Sequence, residues 1–544
     1  MEVKRVGGVL LYRPRLQSEV LARTEAEKQL RDGYSSGVYK DPKKINEIIQ
    51  SRFAHFYSLL HAEIPKSASR QLMEFLLGQY DAAAKVTQLH KSGRLSGDDT
   101  AYWANHGPLI RRALKHLAEV VAMLAPPEAP ALERAAMPLN LDTIVICSEM
   151  LVQLYHLSDQ THGVHPDDTV LTIHPEGTLD YLELKVQHFE RYSDFPSRIG
   201  RDTARQKEYL AGLPLRYDLN YQAAELDEGF RAAFGFGYKD GIQALMQVVD
   251  GAVVPDPDSF DVPFVRRALI IEQIRQATGW HADAIEQLLD GFSLPKLKME
   301  QENRTIFKPK QEYRALRRAF FEMPHETGPH LVWSRTMARE CLFELMKGTL
   351  FQRCPPEWKA GPIDTALAAL QRKVGKWFED QVDSNMAVLG FVGKPSLKDG
   401  IGLGVDRIQT PPAVGEIDYL GYLPEHQLLV LLEDKFVDGA SEPSYFRDDI
   451  SSFVTGSKPY AEQLRRKLTW VRANLPAVCT GLSSLLPGCP RVAPTHLAGA
   501  LVTLHPTYAS YFIPDYPCVS LTQLMDGFKD AQRWPFAVGV VPTA

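Results

Sequence analysis

The sequence predicts a multidomain α+β protein, with a large, mainly α-helical N-terminal region followed by a C-terminal α/β domain whose mixed sheet is flanked by helices. Two observations predict this. From residue 45 to residue 351, apolar side chains recur mostly at three- and four-residue spacing, as in helices buried on one face. Beyond the break at 354–362, Cys-Pro-Pro-Glu-Trp-Lys-Ala-Gly-Pro, short and nearly unbroken apolar runs between turn residues read as strands. A chain of 544 residues has room for several cores.

Taken in order, residues 45–60, 68–90, 100–124 and 141–157 have helical spacing, and the proline-rich 125–131 separates a first region, 1–125, from a second, 126–360. The second region is expected to carry a small β insertion near 168–190. Phe234-Gly-Phe-Gly-Tyr-Lys-Asp-Gly has neither G-x-G-x-x-G nor a G-K-[ST] ending, so it reads as a turn into a helix from Ile242. Residues 262–277, 281–289, 312–321 and 330–351 resume helical spacing, and the third region is 361–544.

Composition is that of a soluble globular protein, 44% hydrophobic and 24% charged. No apolar run is long enough for a membrane span, and Met1-Glu-Val-Lys-Arg lacks the apolar core of a signal peptide, so a cytoplasmic protein with no membrane partner is expected. The six cysteines, Cys147, Cys341, Cys354, Cys479, Cys489 and Cys518, include no C-x2-C pair and read as small buried residues. His162, His165 and His174 near Asp167 and Asp168 lie in a loop-like stretch and read as structural.

The chemistry is concentrated at 416–435, where Asp418 begins one apolar run and Glu433-Asp434-Lys435 ends the next. Residues 421–425 give a turn signal, and 427–432 read as a buried strand. Strand geometry puts Glu433 and Lys435 on one face and Asp434 on the other. If the runs pair as a hairpin, Asp418 comes beside Glu433. Two such carboxylates suit a hard divalent cation, Mg2+ or Mn2+, and the lysine can orient or deprotonate a water. A second acid-x-lysine, Glu183-Leu-Lys185 after Pro166-Asp167-Asp168, has shorter runs broken by Pro175 and Gly177 and reads as a surface pair.

Asp418, Glu433 and Lys435, in the form D-x14-E-x-K, resemble the motif of the PD-(D/E)xK nuclease superfamily, the fold of many restriction endonucleases. The resemblance covers the C-terminal third. It implies a helix, a three-stranded meander, a second helix and a further strand, which fit 367–389 ending at Gly390, the two runs around the motif, 460–475 and 497–504, with a short last strand at 518–521. It further implies Mg2+-dependent phosphodiester hydrolysis, an endonuclease acting on nucleic acid with DNA as the first choice. Asp418 and Glu433 would ligate metal with the backbone carbonyl of Asp434, and Lys435 would position the attacking water. Glu379 on the first helix would hold a second metal or its water, while Gln463 and Lys467 on the second would contact the phosphate. The pattern departs from the superfamily in having Ile417 before Asp418 where a proline is usual, and Lys467 where some members have tyrosine four residues after the glutamine.

A net charge of −6 gives no overall attraction for a polyanion, so nucleic-acid contacts are expected from local basic stripes. One is 296–318, with Lys308, Lys310, Arg314, Arg317 and Arg318 among Phe307 and Tyr313; the other is Arg465-Arg466-Lys467. The helical N-terminal region is expected to serve target recognition, assembly with a partner protein or second copy, or restraint of the nuclease, as in bacterial defence proteins. The alternative is a catalytically silent nuclease-like fold serving as a binding or scaffold module, with Asp418, Glu433 and Lys435 as a structural ion cluster.

Overall fold

The structure is a computed structural model describing residues 1–125, 140–176, 181–187, 189–212, 218–251, 262–302, 312–439, 443–486 and 491–543. The chain is mixed α+β and divides into two compact units, Met1–Val186 with Tyr217–Ala368, and Gln187–Arg216 with Ala369–Ala544. This division differs from the three expected regions. Helices Gly97–Leu124 and Leu141–Asp159 pack together within one unit, so 125–126 is no boundary, and 187–216 joins the C-terminal unit.

The first unit is mainly helical. Asp41 and Ser69 cap Pro42–Glu63 and Arg70–Lys91 by accepting from Lys43 N and Leu72 N. The expected β insertion is present as a three-stranded sheet of Gly37–Tyr39, Thr169–Ile173 and Leu182–Val186. A four-stranded sheet of Phe264–Arg266, His330–Val332, Phe320–Met323 and Ser293–Leu294 replaces parts of the helices expected at 262–277, 312–321 and 330–351. Its strands are two to four residues long, and Phe320, Phe321, Leu331 and Val332 are all buried, so no alternation marks them. Among the described residues no helix is long and apolar enough to cross a membrane.

The C-terminal unit consists of α1 (Phe189–Arg205), α2 (Gly361–Val388, entering this unit at Ala369), β1 (Val392–Leu397), β2 (Ile417–Leu423), β3 (Leu428–Lys435), α3 (Pro443–Ile450), α4 (Tyr460–Ala473), α5 (Leu475–Leu485), β4 (His496–Thr503), β5 (Cys518–Ser520), α6 (Leu521–Ala531) and β6 (Val540–Pro542). The sheet order is β1-β2-β3-β4-β5, antiparallel through β3 and parallel from β3 to β5. β6 pairs antiparallel with His496–Ala498, along the edge of β4 that β5 borders at Leu501–Thr503.

β3 is buried on both faces, which explains its unbroken Leu-Leu-Val-Leu-Leu. Leu429 and Leu431 face a core with Leu464, Leu468 and Val471 of α4, while Val430 and Leu432 face Phe378, Val382 and Met386 of α2. The turn expected at 421–425 lies slightly later, at Pro424–His426, and closes on Gln427 at φ +47°. Gly421 stays in β2 opposite Gly393, where a Cβ on either would collide with the Tyr419 ring.

α1 docks on this sheet through polar groups. Gln206, just beyond its end, donates from Nε2 to Leu504 O (2.7 Å), and Ser520 Oγ donates to Asp202. Burial pushes the Asp202 carboxyl up to about 6, against the bonds from Ser520 and Gln206. The ordinary value is 3.8, so folding takes up a proton between these two values. The stability contributed by Asp202 is expected to be fully present below about pH 4, to fall by about 3 kcal/mol as the pH rises to 6, and to level off above. Urea unfolding at stepped pH checks this, and Asp202→Asn should flatten that segment of the profile.

Candidate metal and phosphate site

Asp418 lies one residue outside the end of the β2–β3 pairing, Tyr419 opposite Leu432, and therefore beside Glu433. Together with Lys435 it occupies the face of the sheet covered by α4. On α4, Lys467 shares the inward stripe with Leu464, Leu468 and Val471. These four side chains form a ring in which carboxylates and ammonium groups alternate. Lys435 Nζ donates to Asp418 Oδ2 (3.2 Å) and pairs with Glu433 Oε1 (2.7 Å). Lys467 Nζ donates to Asp418 Oδ1 (3.1 Å) and to Glu433 Oε2. The Asp434 backbone N–H donates to Asp418 Oδ2 (2.9 Å) and fixes that carboxylate.

Exposure within the ring is graded. The Glu433 and Lys467 side chains are 1% and 6% exposed, whereas Asp418 and Lys435 keep 15% and 17%, so approach from solvent is over Asp418 and Lys435. Burial disfavours the charge on Lys435, but Asp418 and Glu433 outweigh it and hold the ammonium above its ordinary range. In this state Lys435 can stabilise negative charge and donate hydrogen bonds.

Asp434 points to the opposite face, as strand alternation requires, into the core under α2. Its carboxyl is buried, and among the described residues neither oxygen has a hydrogen-bond partner; burial together with Asp418 pushes its pKa well above the ordinary value. Its side chain is therefore no ligand on the Asp418 face.

Glu379 stands beside the ring and outside it. It accepts from Ser396 Oγ (2.7 Å) and lies 3.7 Å from Lys376 Nζ. Ser396 falls between the pairs Pro395–Tyr419 and Leu397–Ile417, level with Asp418, and has φ +54°. That left-handed residue in a strand carries its side chain to α2. Gln463 donates to Lys458 O (3.0 Å) near the start of α4 and does not reach the ring.

The basic stripes are placed differently from expectation. Lys467 is buried in the ring rather than lying on a surface patch. Arg465 is exposed and paired with Glu462 (2.8 Å), and Arg466 is exposed. Arg314 is buried against Glu119, with Nε 2.9 Å from Oε2. Arg318 is fully buried, 2.7 Å from Glu357 Oε2, and Arg317 lies 2.9 Å from Glu312. These arginines neutralise interior or neighbouring acids and offer no track for a phosphate backbone. Lys308 and Lys310 lie outside the described residues. The second acid-x-lysine is a solvated pair, with Glu183 3.1 Å from Lys185 and 3.2 Å from His174.

Among the described residues no three His, Cys, Asp or Glu side chains gather as a metal-holding group. The oxygens of Asp418 and Glu433 nevertheless converge closely enough for a single cation to bridge them, as each ammonium does. This two-carboxylate set fits Mg2+, which binds through one or two carboxylates and keeps several waters. Cys147, Cys341, Cys354 and Cys518 are buried, as expected, while Cys479 is half-buried and Cys489 lies outside the described residues. No family model, curated protein or solved structure matches the chain.

Proposed function

We propose that the C-terminal unit is a Mg2+-dependent nuclease of the PD-(D/E)xK type, hydrolysing phosphodiester bonds with DNA as its first candidate substrate. The observation that carries this reading is the convergence of Asp418 and Glu433 on shared bridging cations at the C-terminal end of a central strand, with Lys435 beside them at the solvent-reachable side. The helix α2 before the three-stranded meander β1–β3, and the parallel strand β4 reached after α3, α4 and α5, support it. Asp418 and Glu433 would hold Mg2+, which when bound polarises a phosphoryl oxygen and lowers the pKa of a water it holds. Asp418 is pre-oriented by the Asp434 N–H, and Lys467 fixes Glu433. Lys435 presents an ammonium toward charge developing on a phosphate oxygen. Glu379, held by Ser396, which lies level with Asp418, would add negative potential at the flank. The helical unit is left the roles of target recognition, assembly or restraint.

A second reading is favoured by the same ring, in which two ammonium groups already neutralise two carboxylates. On that reading it is a structural ion cluster in a binding or scaffold module. One experiment separates them. Asp418→Ala, Glu433→Ala and Lys435→Ala are each expected to lower Mg2+-stimulated cleavage of labelled DNA by at least about 100-fold, on the scale of removing one charge-stabilising group. Cleavage that persists in all three variants, or is indifferent to EDTA, excludes the nuclease.

A further inference from the structure

Arg191 and Arg198 lie seven residues apart on α1 and so fall on one helix face, two turns apart. Both guanidinium groups lie over the ring of Tyr511, 5.2 and 5.6 Å from its centroid. Phe195 and Tyr508 pack edge-on against the same ring and hold it in place. Arg198 donates from Nη1 to Tyr511 OH (3.2 Å) and from Nη2 to Gln523 Oε1 (3.2 Å). Both acceptors are uncharged. Asp202, one turn further along α1, accepts from Ser520 and Gln206 and feels the Arg198 charge without forming an ion pair with it. Among the described residues neither arginine forms an ion pair, and both are half-buried with solvent access. This contrasts with Arg314 and Arg318, whose charges are spent on Glu119 and Glu357.

The pair is also well placed. Gln523 closes the capping box of Ser520. Ser520 stands in register with Thr503, and Thr503 with Lys435. The three form a row across the parallel ends of the sheet, so two strand spacings, about 10 Å, separate the backbones of Lys435 and Ser520.

We propose that Arg191 and Arg198, aligned on Tyr511, are a phosphate clamp for a nucleic-acid strand, holding a phosphate that neighbours the one presented to Lys435. The identity of the strand as substrate rests on the nuclease reading, whereas the clamp itself is a binding site. A guanidinium matches phosphate geometry with a planar fork, and stacking on an aromatic ring orders it before the ligand arrives. That ordering lowers the entropy lost on binding.

The test measures binding of a fluorescein-labelled single-stranded DNA oligonucleotide to the full chain in EDTA, across a series of salt concentrations. The double variant Arg191→Gln/Arg198→Gln is expected to bind at least tenfold more weakly at low salt. The slope of log affinity against log salt should become shallower by about 0.7, the value for one phosphate that is no longer neutralised by the protein. Arg191→Lys/Arg198→Lys, which keeps charge and loses the fork, is expected to retain the slope and recover only part of the affinity. Unchanged affinity and slope in the glutamine variant overturn the clamp, whatever cleavage does. Retained cleavage in the Ala variants at Asp418, Glu433 and Lys435 overturns the nuclease reading and leaves the binding result standing. If the glutamine variant loses its wild-type circular dichroism, the lysine pair decides, and wild-type affinity there overturns the proposal.

Discussion

Replacing Lys467 with methionine is expected to cost the C-terminal unit about 3–5 kcal/mol, the usual penalty for breaking a buried ion pair from one side. Glu433 is buried and divides its two oxygens between Lys435 and Lys467. Methionine keeps the apolar stem against Leu464 and Leu468, so the loss reports the charge rather than a cavity. The double variant Lys467→Met/Glu433→Leu should recover most of the loss, because removing both charges removes the desolvation cost with them. Urea unfolding of the wild type, both single variants and the double variant completes the cycle. A Lys467→Met protein within about 0.5 kcal/mol of wild type would mean that the ring contributes nothing to the fold.

Arg318→Met should have an effect of similar size, about 3–5 kcal/mol, in the helical unit. Arg318 is fully buried, pairs with Glu357 through both terminal nitrogens, and donates to Asp290 O (2.7 Å). Tyr313 OH donates to the same Glu357 carboxylate (2.6 Å). Burial opposes ionisation of Glu357, and the bonds from Arg318 and Tyr313 outweigh it and lower its pKa. Removing the guanidinium strands that carboxylate. The variant is expected to unfold at lower urea while the folded protein binds the oligonucleotide as before. A loss of affinity without a loss of stability would restore Arg318 to the nucleic-acid surface.

The parts of this structure legible in the sequence are those specified locally. The helix read at 367–389 with its stop at Gly390 is α2, and Gly390 has φ +86°. The strand read at 497–504 is β4 within a residue at each end, and 460–475 is α4. Asp418, Glu433 and Lys435 could be grouped because strand alternation and one hairpin suffice to bring them together. Lys467 belonged to the apolar stripe of α4 from the outset. Its charge suggested solvent, although its spacing from Leu464 and Val471 pointed inward. Arg314 and Arg318 could not be read in this way. Their partners Glu119 and Glu357 lie on other elements, and the burial of an arginine depends on a counter-ion that no local pattern announces. The same holds for α1, whose docking on Leu504 and Ser520 spans about 300 residues of sequence.

That long-range docking orders events on the ribosome. α1 emerges before any of Tyr217–Ala368 has been made, and its landing points on β4 and β5 come late in synthesis. The helical unit separates α1 from the rest of its own unit, and joining such distant segments is slow relative to local pairing. Until His496 onward is available, β3 has β2 on one side and a bare edge on the other. A nascent chain paused there would present Leu428–Lys435 as an open template for another chain. α1, with Phe195 not yet enclosed by Phe446 and Tyr508, would be a second adhesive surface. Chaperone demand during expression is thus expected to centre on these two segments.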